Sequence, residues 1–310
     1  MTDEGPADRH RDGPLRPAAS SVARVSPSIL LVTCAALPDG EPEGSRVVEA
    51  FAARGWSARW VVWDDRAVDW AAADVVAVRS TWDYDDRLEE FLAWARRVDG
   101  LGTLLNGADA FAWSLDKGYL VELGEWGLPI VPTVVVEHES ELAPAVAAYA
   151  PAVVKPTVAA GGRGLVVFDT EPDGPAALDE SELTEGPWVV QPLVASVRTD
   201  GEQSVFVLGG RAVAQVGKRP AGEEVRVHEE YGGRSEPVPL DPDCAATAAT
   251  VVAEVASRRG WALPYARVDL LRHEGRWVVS EVELVEPGLY LDVVPALAAD
   301  FADAVLAARP

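Results

Sequence analysis

The sequence predicts a mixed α/β and α+β chain: a small parallel α/β unit, then a hairpin-rich region built around a glycine loop. Three observations carry that prediction. Strand-like and helix-like segments alternate from Ser28 to Val98, the pattern of a parallel sheet with helical crossovers. Val153 to Phe168, VVKPTVAAGGRGLVVF, reads strand, glycine loop, strand. Two more hairpins follow, turning at Gly209–Gly210 and at Glu274–Gly275, both turn-forming pairs.

Taken in order, Met1 to Pro27 is polar, rich in Pro, Gly, Arg and Asp, and aperiodic, so a disordered tail is expected. SILLVTCAAL from Ser28 is a buried strand, and Ser45 to Arg54 has helical spacing with Gly55 closing it. SARWVVWD from Ser57 and ADVVAVR from Ala73 are the next strands, and Arg87 to Val98 is a helix. Asn106 is expected to cap one helix from Ala108 to Glu125. GLPIVPT crosses between lobes, VVVE is a strand, and a helix runs from about Glu139 to Ala148. Glu171 to Gly186 is an acidic loop region, WVVQPLV a strand, and Asp200 to Pro220 a hairpin ending at Lys218. EEVRVHEEYGGRSEPVPL reads as a loop, Asp243 to Arg259 as a helix, YARVDLL to EVELVEP as a hairpin, and Val293 to Ala308 as a closing helix. The expected divisions are a tail (1–27), an N-terminal α/β domain (28–130), a small lobe (131–190) and a C-terminal lobe (191–310).

Composition bounds the function. The chain has 310 residues, 48% hydrophobic and 25% charged, an ordinary globular balance with room for two or three domains. A net charge of −23 argues against nucleic acid, which needs a basic footprint. No apolar run reaches transmembrane length and no signal-type segment opens the chain, so a soluble cytoplasmic protein without a membrane partner is expected. Cys34 and Cys244 have no metal or redox spacing and are expected as buried thiols. Only three lysines occur, Lys117, Lys155 and Lys218. Arginine supplies the general positive charge, so the lysines are expected where a compact charge on a flexible stem is needed.

Three stretches carry chemistry. In the first, Lys155 ends a β-branched strand, and Gly161, Gly162 and Gly164 make a turn whose N–H groups can approach an anion. Polyphosphate binding and a plain hairpin both fit. It is not a P-loop, since no GKS or GKT follows. In the second, RSTWDYDDR lies past a strand end; Arg79 suits a substrate carboxylate and Asp83 an ammonium. A helix start, favoured by Asp83, Asp85 and Asp86, fits as well. In the third, Glu281 and Glu283 share one strand face. Asp269 on the preceding strand falls opposite Ser280, or level with Glu281 if Gly275 carries a bulge. Three carboxylates without His or Cys form a hard oxygen set suited to Mg²⁺; a solvated acidic face is the alternative.

The ordered set DKGYLVEL, VVKPTVAAGGRG, VVQPLV, GEQSVFVLGG, KRP, YGGRSEP, ARVDLL and EVELVEP resembles the ATP-grasp superfamily, in its prokaryotic glutathione-synthetase-like branch. RSTWDY, DKGYL and EVELVEP are similar to the group that includes the D-cycloserine-forming ligase. The resemblance runs from about Ile29 to Ala308. It implies an ATP-grasp fold: the N-terminal parallel α/β domain and two α+β lobes gripping ATP. It implies Lys117 and Lys155 on the α- and β-phosphates, and the Ala160–Gly164 loop as a lid carrying Gly161, Gly162 and Gly164. It places Gln191 and Leu193 at adenine, mostly through backbone, and Glu202 near ribose or substrate. Asp269, Glu281 and Glu283 would hold Mg²⁺, with Mn²⁺ as a substitute. Lys218 and Arg226 would face the transferred phosphoryl group. The related strand usually reads Glu-x-Asn; here Glu-x-Glu adds a charge, either for a second metal or balanced by Lys218 or Arg226.

The expected activity is therefore an ATP-dependent, ADP-forming carboxylate–amine ligase. It would work through an acyl phosphate on a small amino-acid-like substrate, between two molecules or by cyclisation. A phosphotransferase of the same fold and a nucleotide-binding regulator are the alternatives. The expected partners are a small carboxylate and an amine, and similar proteins form dimers and tetramers.

Overall fold

The computed structural model describes residues 1–2, 26–168, 183 and 185–309. The expected tail therefore lies largely outside the described residues, as does most of the acidic loop region from Glu171. Three sheets organise the rest.

The first sheet holds β1 (Ser28–Thr33), β2 (Ser57–Val62) and β3 (Val75–Ser80), in the parallel order β2-β1-β3. α1 (Ser45–Ala52) makes the first crossover and α2 (Leu88–Asp99) follows β3. β1 and β3 are apolar along their length because both faces are covered. One face packs on α1; the other packs Val76 and Val78 with Phe91 and Trp94 of α2.

The expected single helix from Ala108 is two, α3 (Ala108–Ser114) and α4 (Tyr119–Glu125). The Asp116 carboxylate accepts the Gly118 N–H at 2.9 Å and restarts the helix, so Lys117 sits in the break. Asn106 is not the cap either. Its Nδ2 donates to the Tyr265 and Leu284 carbonyls at 2.9 and 2.6 Å, and Gly107 takes the cap position. A buried amide meeting two carbonyls outweighs the weaker local cap.

The second sheet is antiparallel. It contains β4 (Val134–Val136), β5 (Ala152–Pro156), β6 (Val166–Phe168) and β7 (Trp188–Pro192), ordered β4-β7-β5-β6. α5 (Leu142–Tyr149) covers one face. Pro156 pairs only with Trp188 of β7, beyond the end of β6, so its missing N–H leaves no ladder gap.

The third sheet is antiparallel as well, in the order β10-β9-β8-β11-β12. Its strands are β8 (Glu202–Leu208), β9 (Arg211–Arg219), β10 (Arg234–Val238), β11 (Tyr265–His273) and β12 (Arg276–Glu283). The sequence reading missed β10, which is an edge strand with a proline and almost no apolar alternation. α6 (Pro242–Arg259) starts with Asp241 accepting two backbone N–H groups and ends at Gly260, φ +71°. α7 (Leu297–Ala307) starts later than expected, after the Pro295 turn.

α7 joins the first and third sheets into one core, where Ile29, Leu31 and Phe51 meet Phe206, Tyr265 and Phe301. The opposite face of the third sheet packs on α4 and α6. Two expected divisions therefore shift. α4 was placed with the N-terminal domain but packs with the last sheet, and the 190/191 division cuts β7. Cys34 and Cys244 are buried free thiols, as the sequence led one to expect. Among the described residues no helix is long and apolar enough to cross a membrane.

Candidate active site

The site lies where the third sheet, the glycine loop and the loop after β3 meet. Asp269 pairs in register with Glu281. The register shifts there, because Leu270 pairs with Val279 and Ser280 is the extra residue. Glu274 and Gly275 both have positive φ, 49° and 78°, which makes a tight two-residue turn. The bulge is thus at Ser280 and not at Gly275, yet its consequence is the expected one. Carboxylate oxygens of Asp269, Glu281 and Glu283 come within 4.8 Å of one another.

Cations surround the cluster. Lys218, buried on β9, lies 2.6 Å from Glu202 and 3.2 Å from Asp269. Lys117 lies 3.4 Å from Glu281 and donates to the Ala159 carbonyl at 2.7 Å. Lys155, on β5, senses Glu281 and Lys117, and burial lowers its pKa. All three lysines of the chain therefore gather here.

Arg267 was not singled out from the sequence, although its i, i+2 spacing puts it on the Asp269 face. It donates to both Asp269 oxygens, at 3.0 and 2.9 Å, and to Glu283. Burial alone would raise the Asp269 pKa; Arg267 and Lys218 outweigh it and hold the group well below the usual range. Glu281 is lowered in the same way, with Lys117 and Lys155 opposing burial. Glu283 goes the other way. Burial, with Asp269 and Glu281 close by, pushes it up to about 7 despite Arg267. A hard oxygen set that still holds an under-compensated carboxyl fits a divalent cation such as Mg²⁺.

The glycine loop reaches the cluster through Lys117, which joins the Ala159 carbonyl to Glu281. Gly161, Gly162 and Gly164 have φ of +61°, +72° and +69°, reached cheaply only by glycine. A Cβ on Gly162 would lie 3.1 Å from His228 Nδ1 and 3.3 Å from Arg226 Cγ, so the loop rests on both. Arg226 pairs with Glu224 at 2.6 Å and lies over the Tyr231 ring at 3.8 Å. The second contact residue, His228, was named from the sequence only as part of a loop, with no local signal of a role. Its Nδ1 is buried without a partner, and burial, then Lys218, push its pKa down to about 4. On the other side Asp85 accepts from the Ala160 N–H at 3.2 Å and pairs with Arg163 at 2.5 Å.

Five expected site residues make contacts of their own in the structure. Arg79 is fully buried and bonded to Glu41 at 2.9 Å and to the Pro287 carbonyl at 2.6 Å. The Phe301 ring lies 4.6 Å from it. It is an interior ion pair, and its Nη1 is buried without a hydrogen-bond partner. Asp83 accepts from Trp63 Nε1 at 3.0 Å, which orients it toward its own domain. Glu202 pairs with Lys218 at 2.6 Å and accepts from Ser280 Oγ at 3.1 Å. The Leu193 N–H is used by the Pro151 carbonyl at 2.7 Å, so it is not free for an adenine. The Gln191 side chain is likewise held by Thr133, at 2.8 Å. Leu193 does belong to an apolar patch between the second and third sheets, with Leu165, Val167 and Leu271.

Comparison with known proteins follows this geometry. Residues 29–106 match the N-terminal domain of D-cycloserine synthetase DcsG, and residues 124–287 the ATP-grasp domain of prokaryotic glutathione synthetase. The cycloserine biosynthesis protein DcsG of Streptomyces lavendulae is 32% identical over 275 residues, covering 84% of this chain and 91% of that protein. The crystal structure of D-cycloserine synthetase DcsG superposes with a TM-score of 0.78 at 30% identity, covering 90% and 98% of the two chains. Two further solved structures share the fold. D-alanine–D-alanine ligase from Bacillus anthracis has a TM-score of 0.64 at 14% identity, covering 91% of this chain and 96% of its own. The ATP-grasp ligase PsnB, complexed with a phosphomimetic variant of its minimal precursor, Mg and ADP, has a TM-score of 0.62 at 17% identity over 92% and 99%.

Proposed function

The chain belongs to the prokaryotic glutathione synthetase ATP-grasp family, with an N-terminal domain of the D-cycloserine synthetase type, and from this we propose that it activates a small amino-acid-like carboxylate as an acyl phosphate. An amine then displaces phosphate, on a second molecule or on the same one when both groups belong to one substrate. As a family member it is an ATP-dependent, ADP-forming carbon–nitrogen ligase. The acyl phosphate and the cyclising option are our reading, and the single observation that carries it is the carboxylate cluster of Asp269, Glu281 and Glu283, with the three lysines around it and the glycine loop adjoining it through Lys117.

Phosphoryl transfer asks a protein for position and charge neutralisation more than for a nucleophile. Asp269, Glu281 and Glu283 would hold Mg²⁺, which neutralises phosphate charge when bound; the PsnB complex with Mg and ADP supports that choice. Lys117 and Lys155 stand on the glycine-loop side of the cluster and would take the α- and β-phosphates. Lys218, Arg226 and Arg267 supply positive charge on the third-sheet side, where the transferred group would lie. Gly161, Gly162 and Gly164 offer backbone N–H groups from above. Leu193, with its apolar neighbours, would seat the adenine. The glycine loop would exclude water, which otherwise consumes an acyl phosphate.

The test is ADP release with Mg²⁺ and ATP against amino acids and small carboxylates, each with and without an added amine. Release that requires both groups and yields an amide supports the reading. Release that yields only a phosphorylated compound assigns a phosphotransferase. ATP binding without release from any of them overturns catalysis of this kind.

A further inference from the structure

Two of the three clustered carboxylates, Glu281 and Glu283, stand at the rim of their sheet. β12 is the last strand in the order β10-β9-β8-β11-β12, so β11 holds it on one side only. Glu281 follows directly on Ser280, the extra residue of the bulge, where a ladder is locally disrupted. Asp269, on the inner strand, is held by Arg267, Ser204 and Lys218. An edge strand just past a bulge is a loose platform for two groups that must keep a set distance from a third.

The outer edge of β12 is nevertheless filled, and by side chains. Tyr119 Oη accepts the Val282 N–H at 2.6 Å. Ser114 Oγ donates to the Val282 carbonyl at 2.8 Å and accepts the Leu284 N–H at 3.1 Å. Val282 is the residue between Glu281 and Glu283, and its own side chain is buried in the core under the sheet. These bonds stand where a further strand would pair. Earlier in β12, Val279 is held instead by backbone, through Pro129 and Val131.

Both hydroxyls come from the break between α3 and α4. Ser114 is the last residue of α3 and Tyr119 the first of α4. Between them Lys117 lies 3.4 Å from Glu281. One short segment thus fixes the backbone between two carboxylates and the cation that faces one of them. Tyr119 is buried, with its ring centroid 4.7 Å from that of Trp113. Burial, with Glu281 adding to it, raises the phenol pKa well above its ordinary value, so the hydroxyl stays neutral. Packing against Trp113 needs the ring alone; the hydroxyl serves Val282.

We propose that Tyr119 and Ser114 are positioning residues for the metal: their hydroxyls hold the outer edge of β12 so that Glu281 and Glu283 keep the spacing from Asp269 that a divalent cation requires. Neither residue is assigned a contact with metal or nucleotide. The proposal rests on the Mg²⁺ assignment of the ligase reading and adds two residues to it.

The test reads metal binding rather than turnover. Mn²⁺ is titrated into the full chain loaded with ADP, with free Mn²⁺ followed by electron spin resonance. ADP affinity is measured calorimetrically with and without Mg²⁺. Tyr119→Phe, which removes one oxygen, should weaken Mn²⁺ about tenfold, the low end for groups that orient metal ligands from behind. Ser114→Ala should do the same, and Ser114→Thr, which keeps a hydroxyl, should restore most of the affinity. ADP affinity without Mg²⁺ should stay unchanged in all three, because the lysines are intact. The gain in ADP affinity on adding Mg²⁺ should shrink in Tyr119→Phe and Ser114→Ala by the factor lost for the metal. If Tyr119→Phe does not fold, the two Ser114 variants carry the test. Unchanged Mn²⁺ affinity in the hydroxyl-deleted variants, whatever their melting temperatures, overturns the proposal. So does an equal loss of ADP affinity with and without metal, which marks general loosening. Glu281→Gln separates this inference from the reading it rests on. If that variant binds Mn²⁺ as the unaltered chain does, the metal assignment falls and the positioning role with it. If it weakens Mn²⁺ and the hydroxyl variants do not, only the positioning role falls. A hydroxyl-dependent metal site in a chain that never releases ADP leaves the positioning role standing and removes only the ligase reading.

Discussion

Asp85 and Arg163, 78 residues apart, are joined through two oxygens of one carboxylate, at 2.6 and 2.5 Å. Asp85 belongs to the loop after β3 and Arg163 to the glycine loop, so the N-terminal domain grips the cover of the site directly. The same carboxylate accepts the Ala160 N–H. The glycine loop and the loop after β3 are therefore tied to each other through one carboxylate.

The first prediction follows from that grip. Arg163 is half exposed and Asp85 nearly buried, so the pair is worth about 1 kcal/mol after solvent screening. Asp85→Ala should shift the loop toward open by roughly fivefold. The measurable consequence is uncoupling: ADP formed per product made should rise above one as water reaches the activated carboxylate. A ratio that stays at one, with only a slower rate, would mean that the ion pair does not govern closure.

The interior pair Arg79–Glu41 leads to a stability prediction. Glu41 bonds Arg79 through one oxygen and the Leu289 N–H through the other, at 2.8 Å. It ties β3 to the loop that carries Glu286. Removing one partner leaves the other charge buried and unpaired, which costs about 3–5 kcal/mol. Glu41→Gln should therefore lower the denaturant midpoint strongly, while the double change Arg79→Met with Glu41→Leu should recover much of the loss. An Arg79→Ala protein of unchanged stability with a raised substrate KM would instead restore Arg79 to the substrate site.

These two pairs show what was legible in the sequence and what was not. The alternation of strands and helices and the hairpin turns follow from local periodicity and turn chemistry, which alone set Asp269 opposite Ser280; its convergence with Glu281 needs the bulge. The rarity of lysine marked Lys117, Lys155 and Lys218 as places that need a compact charge, and the family resemblance set all three at the phosphates. The position of the bulge was misread, since Ser280 has no local feature that marks it as the extra residue. Arg79 was misread for a different reason: an arginine at a strand end looks the same whether it meets a ligand or Glu41, which is 38 residues earlier. The break between α3 and α4 was hidden by a helical pattern that continues across it. Leu193 was expected to meet adenine mostly through its backbone, and its N–H is already used by the Pro151 carbonyl. Long-range pairing decides each of these, and one chain read alone does not display it.

The carboxylate cluster makes the third prediction. Glu281 is opposed by Lys117 and Lys155 rather than locked by Arg267, so it is the member freest to bind a metal. Glu281→Gln should cut turnover by about two orders of magnitude or more, with nucleotide affinity largely kept by the lysines. The Mg²⁺ concentration that gives half-maximal activity should rise. Turnover near that of the unaltered chain would remove Glu281 from the metal set.

The fourth prediction concerns pH and His228. Its ordinary pKa of 6.5 falls to about 4 in the folded chain, mainly through burial and then through Lys218. Above pH 6.5 both folded and unfolded states hold the neutral ring, and the residue does not affect the balance. As pH falls from 6.5 toward 4, the unfolded state gains a proton that the folded state refuses, so stability falls with pH across that window. The full effect is at most about 3 kcal/mol, reached near pH 4. His228→Asn, which keeps a polar group against Gly162 without titrating, should flatten the midpoint-against-pH curve between 6.5 and 4. An unchanged slope would mean that the imidazole is already open to water, and with it the floor on which the glycine loop rests.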